Sequence, residues 1–158
     1  MTETIRPARP HEREALEELQ LLASLMWEED RQALLTNPDA IDLPSEQIAD
    51  GHVFVCEADG RIVGFGVVLP REDGQAELDG LFVRPEVWGE GYGRLLLEHG
   101  ADIARGWGAE RLHVIANSHA MGFYTACGFV PDGTAQTRFR PATTMVLGLR
   151  ATPAADQS

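Results

Sequence analysis

The segment Arg84-Pro85-Glu86-Val87-Trp88-Gly89-Glu90-Gly91-Tyr92-Gly93 brings three glycines, at every second position, to the point where an apolar run gives way to a helical pattern. A strand, a glycine-rich loop and a helix together form a device for holding anions. Glycines let the backbone approach a phosphate, the first helical N–H groups lack intrahelical acceptors, and the helix dipole favours negative charge there. Arg84 and Arg94 could add point contacts to phosphate oxygens. The donors are backbone amides, so the device works in a chain that has no lysine at all. Two familiar phosphate loops fail on spacing. The P-loop string GxxxxGK[ST] needs a lysine. The Rossmann fingerprint needs GxGxxG and an acid about 20 residues on, at a strand end; here the spacing is GxGxG, and Ala116 stands where the acid should be. The same residues also fit a tight strand-to-helix turn that holds nothing.

A second run separates these readings. Asn117, Ala120, Phe123-Tyr124 and Gly128-Phe129 follow the loop in the pattern NxxAxxFYxxxGF, and Leu81-Phe82-Val83-Arg84-Pro85 leads into it as Leu-x-Val-x-Pro. Together the two runs resemble the GNAT superfamily of acyl-CoA-dependent N-acyltransferases, over roughly Thr4 to Arg150. The resemblance implies an α/β (α+β) fold: one mixed, mostly antiparallel sheet of about six to seven strands, flanked by about four helices. It implies acetyl-CoA as co-substrate, no metal, and direct attack by a primary amine without a covalent enzyme intermediate. The pyrophosphate would lie on Gly89, Glu90, Gly91, Tyr92, Gly93 and Arg94. The backbone of Leu81, Phe82 and Val83 would pair with the pantetheine arm, in the splay between the strands Gln75–Val83 and Glu110–Ala116. Asn117 would stand near that arm, and it also suits the N-cap of the following helix. Two positions depart from the family. Trp88 stands where Arg or Gln is frequent and Glu90 where Lys or Arg is, both normally along the pyrophosphate; Trp88 could instead pack beside the cofactor.

Acyl transfer from a thioester needs a neutral amine, support for the developing oxyanion, and a proton for the departing thiolate. Tyr124 can supply that proton, since its reference pKa of about 10 keeps it protonated at neutral pH. In the family a tyrosine at this place is commonly the general acid. Its other reading is a packed stripe with Ala120, Phe123 and Cys127. Glu77 is the candidate base, at the start of the strand that leads into the loop, where several family members carry a catalytic glutamate. Asp79 projects to the same face and suits either the same task or binding of a substrate cation. His113 and His119 lack a second ligand at metal spacing and read as structural. Neither GxSxG nor HExxH occurs, so the hydrolase and metalloprotease readings lack support.

The elements that position these residues follow from periodicity. Thr4 to Arg6 reads as a short strand. Apolar residues Leu16, Leu19, Leu22, Ala23 and Met26 predict an amphipathic helix from His11 to about Glu29. Arg31 to Thr36 predicts a second short helix, and Ser45 to Asp50 a third capped by Ser45. His52 to Ala58 and Arg61 to Leu69 predict strands joined by Asp59-Gly60, the strongest short-range hairpin signal in the chain. Gln75 to Val83 follows as a strand after Asp73-Gly74. Tyr92 to Gly106 is helical, with Leu95, Leu96, Leu97 and Ile103 as its buried side. Glu110 to Ala116 returns as a strand. Ser118 to Cys127 is a short helix stopped by Gly128. Phe129 to Val130 and Thr143 to Leu149 are the last strands, and Ala151 to Ser158 reads as a frayed tail.

At 158 residues with 44% hydrophobic content, the chain can bury one domain's core. Its formal net charge of −12 argues against nucleic acid, because the long-range field repels phosphate backbones. No apolar run reaches the roughly 18 residues that span a bilayer, and the N-terminus lacks a signal-peptide core. A cytoplasmic location is expected, with no membrane partner. Cys56 and Cys127 read as buried, unpaired thiols. The acceptor is the less legible partner. In the family it is gripped by the first two helices and the last hairpin, here His11 to Asp50 and Val130 to Thr144. Trp27 beside Glu28, Glu29 and Asp30 suits a cationic amine, although a solvated helix end is the stronger reading. Arg138 and Arg140 suit a carboxylate. The implied function is N-acetyl transfer to a small-molecule or peptide amine; the competing class is a non-catalytic acyl-CoA-binding sensor. The resemblance also allows a homodimer through the last strands, which is common among similar proteins.

Overall fold

The computed structural model describes residues 3–149, apart from the side chain of Glu29; the tail expected from Ala151 to Ser158 lies outside the described residues. The chain runs β1 (Glu3–Pro7), α1 (Arg13–Ser24), α2 (Glu28–Thr36), α3 (Ser45–Ala49), β2 (Val53–Ala58), β3 (Arg61–Pro70), β4 (Ala76–Val83), α4 (Tyr92–Gly106), β5 (Arg111–Ala116), α5 (Met121–Ala126), β6 (Val130–Gln136) and β7 (Pro141–Gly148), with short 3-10 turns between. The strands form one seven-stranded sheet in the order β1-β2-β3-β4-β5-β7-β6. Its β4–β5 pair is parallel, while β1–β2, β2–β3, β5–β7 and β6–β7 are antiparallel. The parallel ladder is short: Ala76, Glu77 and Leu78 pair with Leu112, His113 and Val114. Five α-helices accompany the sheet, against the about four expected. By internal contact the described chain divides into two compact units, residues 3–67 with 80–97, and residues 68–79 with 98–149.

In the first unit, β2 and β3 are apolar on both faces, and Val53, Val55, Cys56, Phe65 and Leu96 are fully buried. Helix α1 turns Leu16, Leu19 and Ala23 inward, and burying each leucine stabilises by about 1.5–3 kcal/mol. The hairpin turn takes φ of 54° at Asp59 and 80° at Gly60, both left-handed as a two-residue turn demands. Arg6 ties β1 to Glu12 at 2.7 Å and Glu57 at 3.0 Å. Its guanidinium holds both carboxyls below the usual range, through direct hydrogen bonds.

Several boundaries move. The single helix expected from His11 to about Glu29 ends at Ser24, and Leu25-Met26-Trp27 turn the chain before α2; Leu22 and Met26 are exposed. A 3.6-residue period persists through a break when the next helix starts nearly in phase, so periodicity alone joined them. Ser45 is the first residue of α3, and Pro44 holds the N-cap position, where its fixed φ suits the entry. In α4 the buried side is Tyr92, Leu96, Leu97, Ala101 and Ala104, while Leu95 is exposed and Ile103 half-buried.

In the second unit, Leu112, Val114 and Ala116 of β5 point inward, with Met145, Phe129 and Leu149. The odd positions of β5 take the opposite face. Strand β6 extends to Gln136, far past the Val130 expected. Pro131 and Gly133 concealed it: a register irregularity lies between them, and β6 is an edge strand, where proline is tolerated.

Candidate active site

In the first unit the glycine loop leaves β4 at Val83 and enters α4 at Tyr92. Gly89 and Gly91 take φ of 88° and 94°, and a Cβ at either would meet open space. Glycine is therefore required by the backbone and not by crowding, and both residues are exposed. The first α4 bond runs from the Leu95 N–H to the Gly91 carbonyl at 3.1 Å. The N–H groups of Tyr92, Gly93 and Arg94 precede it, as the outward donors of a helix start. Left-handed glycines, exposed amides and a positive dipole end fit a phosphate group. Glu86 does not oppose it directly, because it is ion-paired with Arg61. Glu90 is exposed beside the glycines.

The flanks of the loop are fixed in ways that spacing did not reveal. Arg84 donates its backbone N–H to the Val63 carbonyl and Nε to the Ile62 carbonyl, each at 2.8 Å. These two bonds tie the end of β4 to β3. Gly64 of β3 lets the Phe82 carbonyl approach, since a Cβ there would sit 2.8 Å from that oxygen. Trp88 donates Nε1–H to the Val83 carbonyl at 2.7 Å. Its ring stacks on Trp27, with centroids 5.4 Å apart and planes within 17°. Trp27 therefore has one face covered by an indole. Glu28 pairs with Arg31 at 3.2 Å, and the expected cluster of Trp27 with acids becomes the acidic start of α2, complementing its dipole. Glu29's side chain lies outside the described residues.

In the second unit, Glu77 and Asp79 share one face of β4, and Glu77 lies beside His113 of β5 in the parallel register. Burial pushes the Glu77 carboxyl above the usual carboxylate range; Asp79 adds repulsion, and Arg71 draws it part of the way back. Asp79 reaches water, yet enough protein surrounds it to push its carboxyl up as well. His113 accepts or donates one hydrogen bond with Gln75 at 3.1 Å. Burial, then Arg71, lowers its pKa, which keeps the imidazole neutral at neutral pH. Gln75, Glu77 and His113 thus form a polar strip that alternation along β4 and β5 foreshadowed, although the Gln75 partner was missed.

Tyr124 is buried and set edge-on to Phe123 and Phe129, at 5.2 and 5.3 Å between centroids. Burial drives its pKa upward, with Cys127 adding to the effect, so it stays protonated across the neutral range. Among the described residues its hydroxyl has no hydrogen-bond partner. The expected buried stripe is not formed: Ala120 and Cys127 are half-buried and Phe123 is at the surface. Asn117 takes the N-cap position of the 3-10 turn before α5, but its side chain makes no capping bond. Neither cysteine is in a disulfide; Cys56 is buried as expected. No group of three or more metal-ligating side chains occurs among the described residues, and none of their helices is long and apolar enough to cross a membrane.

Residues 16–129 match the Acetyltransferase (GNAT) family model. An uncharacterized N-acetyltransferase of Mycobacterium tuberculosis, and its counterpart in Mycobacterium bovis, are 32% identical over 85 residues, 52% of this chain and 54% of each relative. The chain thus spans about half the length of the curated relatives it matches. The fold resembles the PaiA N-acetyltransferase of Thermoplasma acidophilum, solved in complex with coenzyme A, with a TM-score of 0.75 at 19% identity over 94% of this chain and 99% of that one. It also resembles a GCN5-related N-acetyltransferase of Rhodopseudomonas palustris, with a TM-score of 0.73 at 23% identity, covering 94% and 96%. The family match covers most of the chain and contains both sequence motifs: this chain belongs to the GNAT acetyltransferase family.

Proposed function

We propose that the chain moves an acetyl group from acetyl-CoA to the primary amine of a small molecule or peptide, in the cytoplasm and without a metal. The observation that carries this reading is the loop of left-handed, exposed Gly89 and Gly91 opening α4, in a chain of this family. Backbone amides of Gly89 to Gly93, with Arg94, hold the pyrophosphate. The Leu81–Val83 backbone receives the pantetheine arm, with Asn117 contributing its unused amide. When bound, acetyl-CoA supplies an activated acyl carbon. Glu77, with Asp79 beside it, accepts the proton that the amine sheds as its C–N bond forms. A raised carboxyl suits that task, because its basicity moves toward neutral pH. Tyr124 gives its phenolic proton to the thiolate released as the C–S bond breaks, and bulk water returns it.

One observation favours a non-catalytic sensor as the second reading: Trp88 already uses the Val83 carbonyl, at a position where the family often has Arg or Gln. A thermal shift with acetyl-CoA, CoA and ATP, followed by thiol release across a panel of amines, separates the two. At a CoA concentration of about 100 times Kd, stabilisation of about 2.7 kcal/mol is expected. A shift with thiol release supports the enzyme, and a shift without release from any amine supports the sensor. No shift with millimolar CoA overturns both.

A further inference from the structure

Helix α2 is weakly held by its own residues. Its described side chains are all half-buried or exposed, and its N-cap, Trp27, makes no side-chain capping bond. Its C-terminal end is closed by the Asn37 side chain and N–H, both on the Ala33 carbonyl at 2.9 Å. At the N-terminal end, the Trp27 ring lies on Trp88. Trp88 in turn is held by its Nε1–H on the Val83 carbonyl and its backbone N–H on the Pro85 carbonyl. Stacked indoles bury a large apolar area, with about 0.5–1.5 kcal/mol added by ring geometry. That contact ties the start of nine-residue α2 to the glycine loop.

We propose that the Trp27–Trp88 stack couples occupancy of the glycine loop to the order of α2, with Trp88 as the positioning residue. A phosphate on the loop restrains Gly89 and Gly91, the two joints through which Trp88 moves relative to α4. A restrained Trp88 presents a fixed face to Trp27, and α2 frays less from its first turn. Because coupling of this kind is reciprocal, any ligand that rests on α2 strengthens binding at the loop by the same factor. This inference rests on the acetyl-CoA reading of the loop.

The test is amide hydrogen exchange across Gln32 to Asn37, with and without saturating CoA, alongside CoA affinity by calorimetry. In the unaltered chain CoA slows exchange in this segment by about tenfold. In Trp27→Ala, CoA still binds, within about threefold of the original affinity, and the slowing is lost. Trp27→Phe restores most of it, which separates the effect from a fold defect. The inference is overturned if Trp27→Ala keeps the full slowing, or if the unaltered chain binds CoA with no change in α2 exchange. Failure of the unaltered chain to bind CoA at all overturns the reading of the loop, and the inference with it.

Discussion

At the scale of single residues, Tyr124 and Glu77 carry the sharpest expectations. Tyr124→Phe keeps the ring between Phe123 and Phe129 and removes only the hydroxyl, so stability changes little. Steady-state kinetics with a responsive amine should show kcat lower by about 10² to 10⁴, with KM for acetyl-CoA nearly unchanged; an unaltered kcat would return Tyr124 to a packing role. Glu77 makes a prediction in pH. Its folded pKa is raised by burial, so its protonated form is favoured by folding. Below the unfolded pKa both states are protonated and the residue costs nothing. As pH climbs through the raised folded pKa, a desolvated charge must form and stability falls. Glu77→Gln should therefore raise Tm at pH 8 and leave it nearly unchanged at pH 3.5. In activity, the same substitution should remove an acid limb lying above the ordinary carboxylate range. An acid limb that survives in Glu77→Gln would move the base elsewhere, with Asp79 the next to be changed.

At the scale of elements, the glycines divide by the reason for them. Gly91 is needed for its φ alone, and Gly91→Ala should cost about 1–2 kcal/mol from left-handed strain while weakening CoA binding. Gly64 is needed for space. A Cβ there meets the Phe82 carbonyl at 2.8 Å and Leu96 at 2.9 Å, and Gly64→Ala should cost about 1–3 kcal/mol in denaturant unfolding. Equal, negligible losses at both would mean that the β3–β4 contact and the loop relax freely. The sequence showed the first requirement and concealed the second. Local rules reached β2, β3, β4 and α4 to within a residue or so, because Asp59-Gly60, Asp73-Gly74 and the 3.6-residue period are short-range signals. They failed where a long-range partner decides. Strand β6 exists because β7 pairs with it in spite of Pro131, and Trp88 is defined by Trp27, 61 positions away. The Gln75–His113 bond likewise depends on the parallel register of β4 with β5, which no window of residues contains.

At the scale of the whole molecule, a net charge of −12 sets the field that any ligand crosses. On the proposed function, coenzyme A, an anion, must approach against that field to reach the glycine loop. Salt screens the repulsion, so its association rate should rise several-fold between about 20 mM and 200 mM ionic strength. Stopped-flow measurement reads this directly, and a rate that falls with salt would show that the arginines around the loop outweigh the net charge.

The ion pairs of the described chain carry one more meaning. Arg6 with Glu12 and Glu57, Arg13 with Asp42, Arg71 with Asp73 and Arg105 with Asp102 are all made by arginine. Acetylation of a lysine erases its charge and with it any pair it made. A guanidinium stays protonated and offers a thioester no neutral nitrogen to acylate. The cationic half of these pairs is thus built from a side chain that an acetyl donor leaves untouched, and on the proposed function prolonged exposure to acetyl-CoA does not erode these contacts.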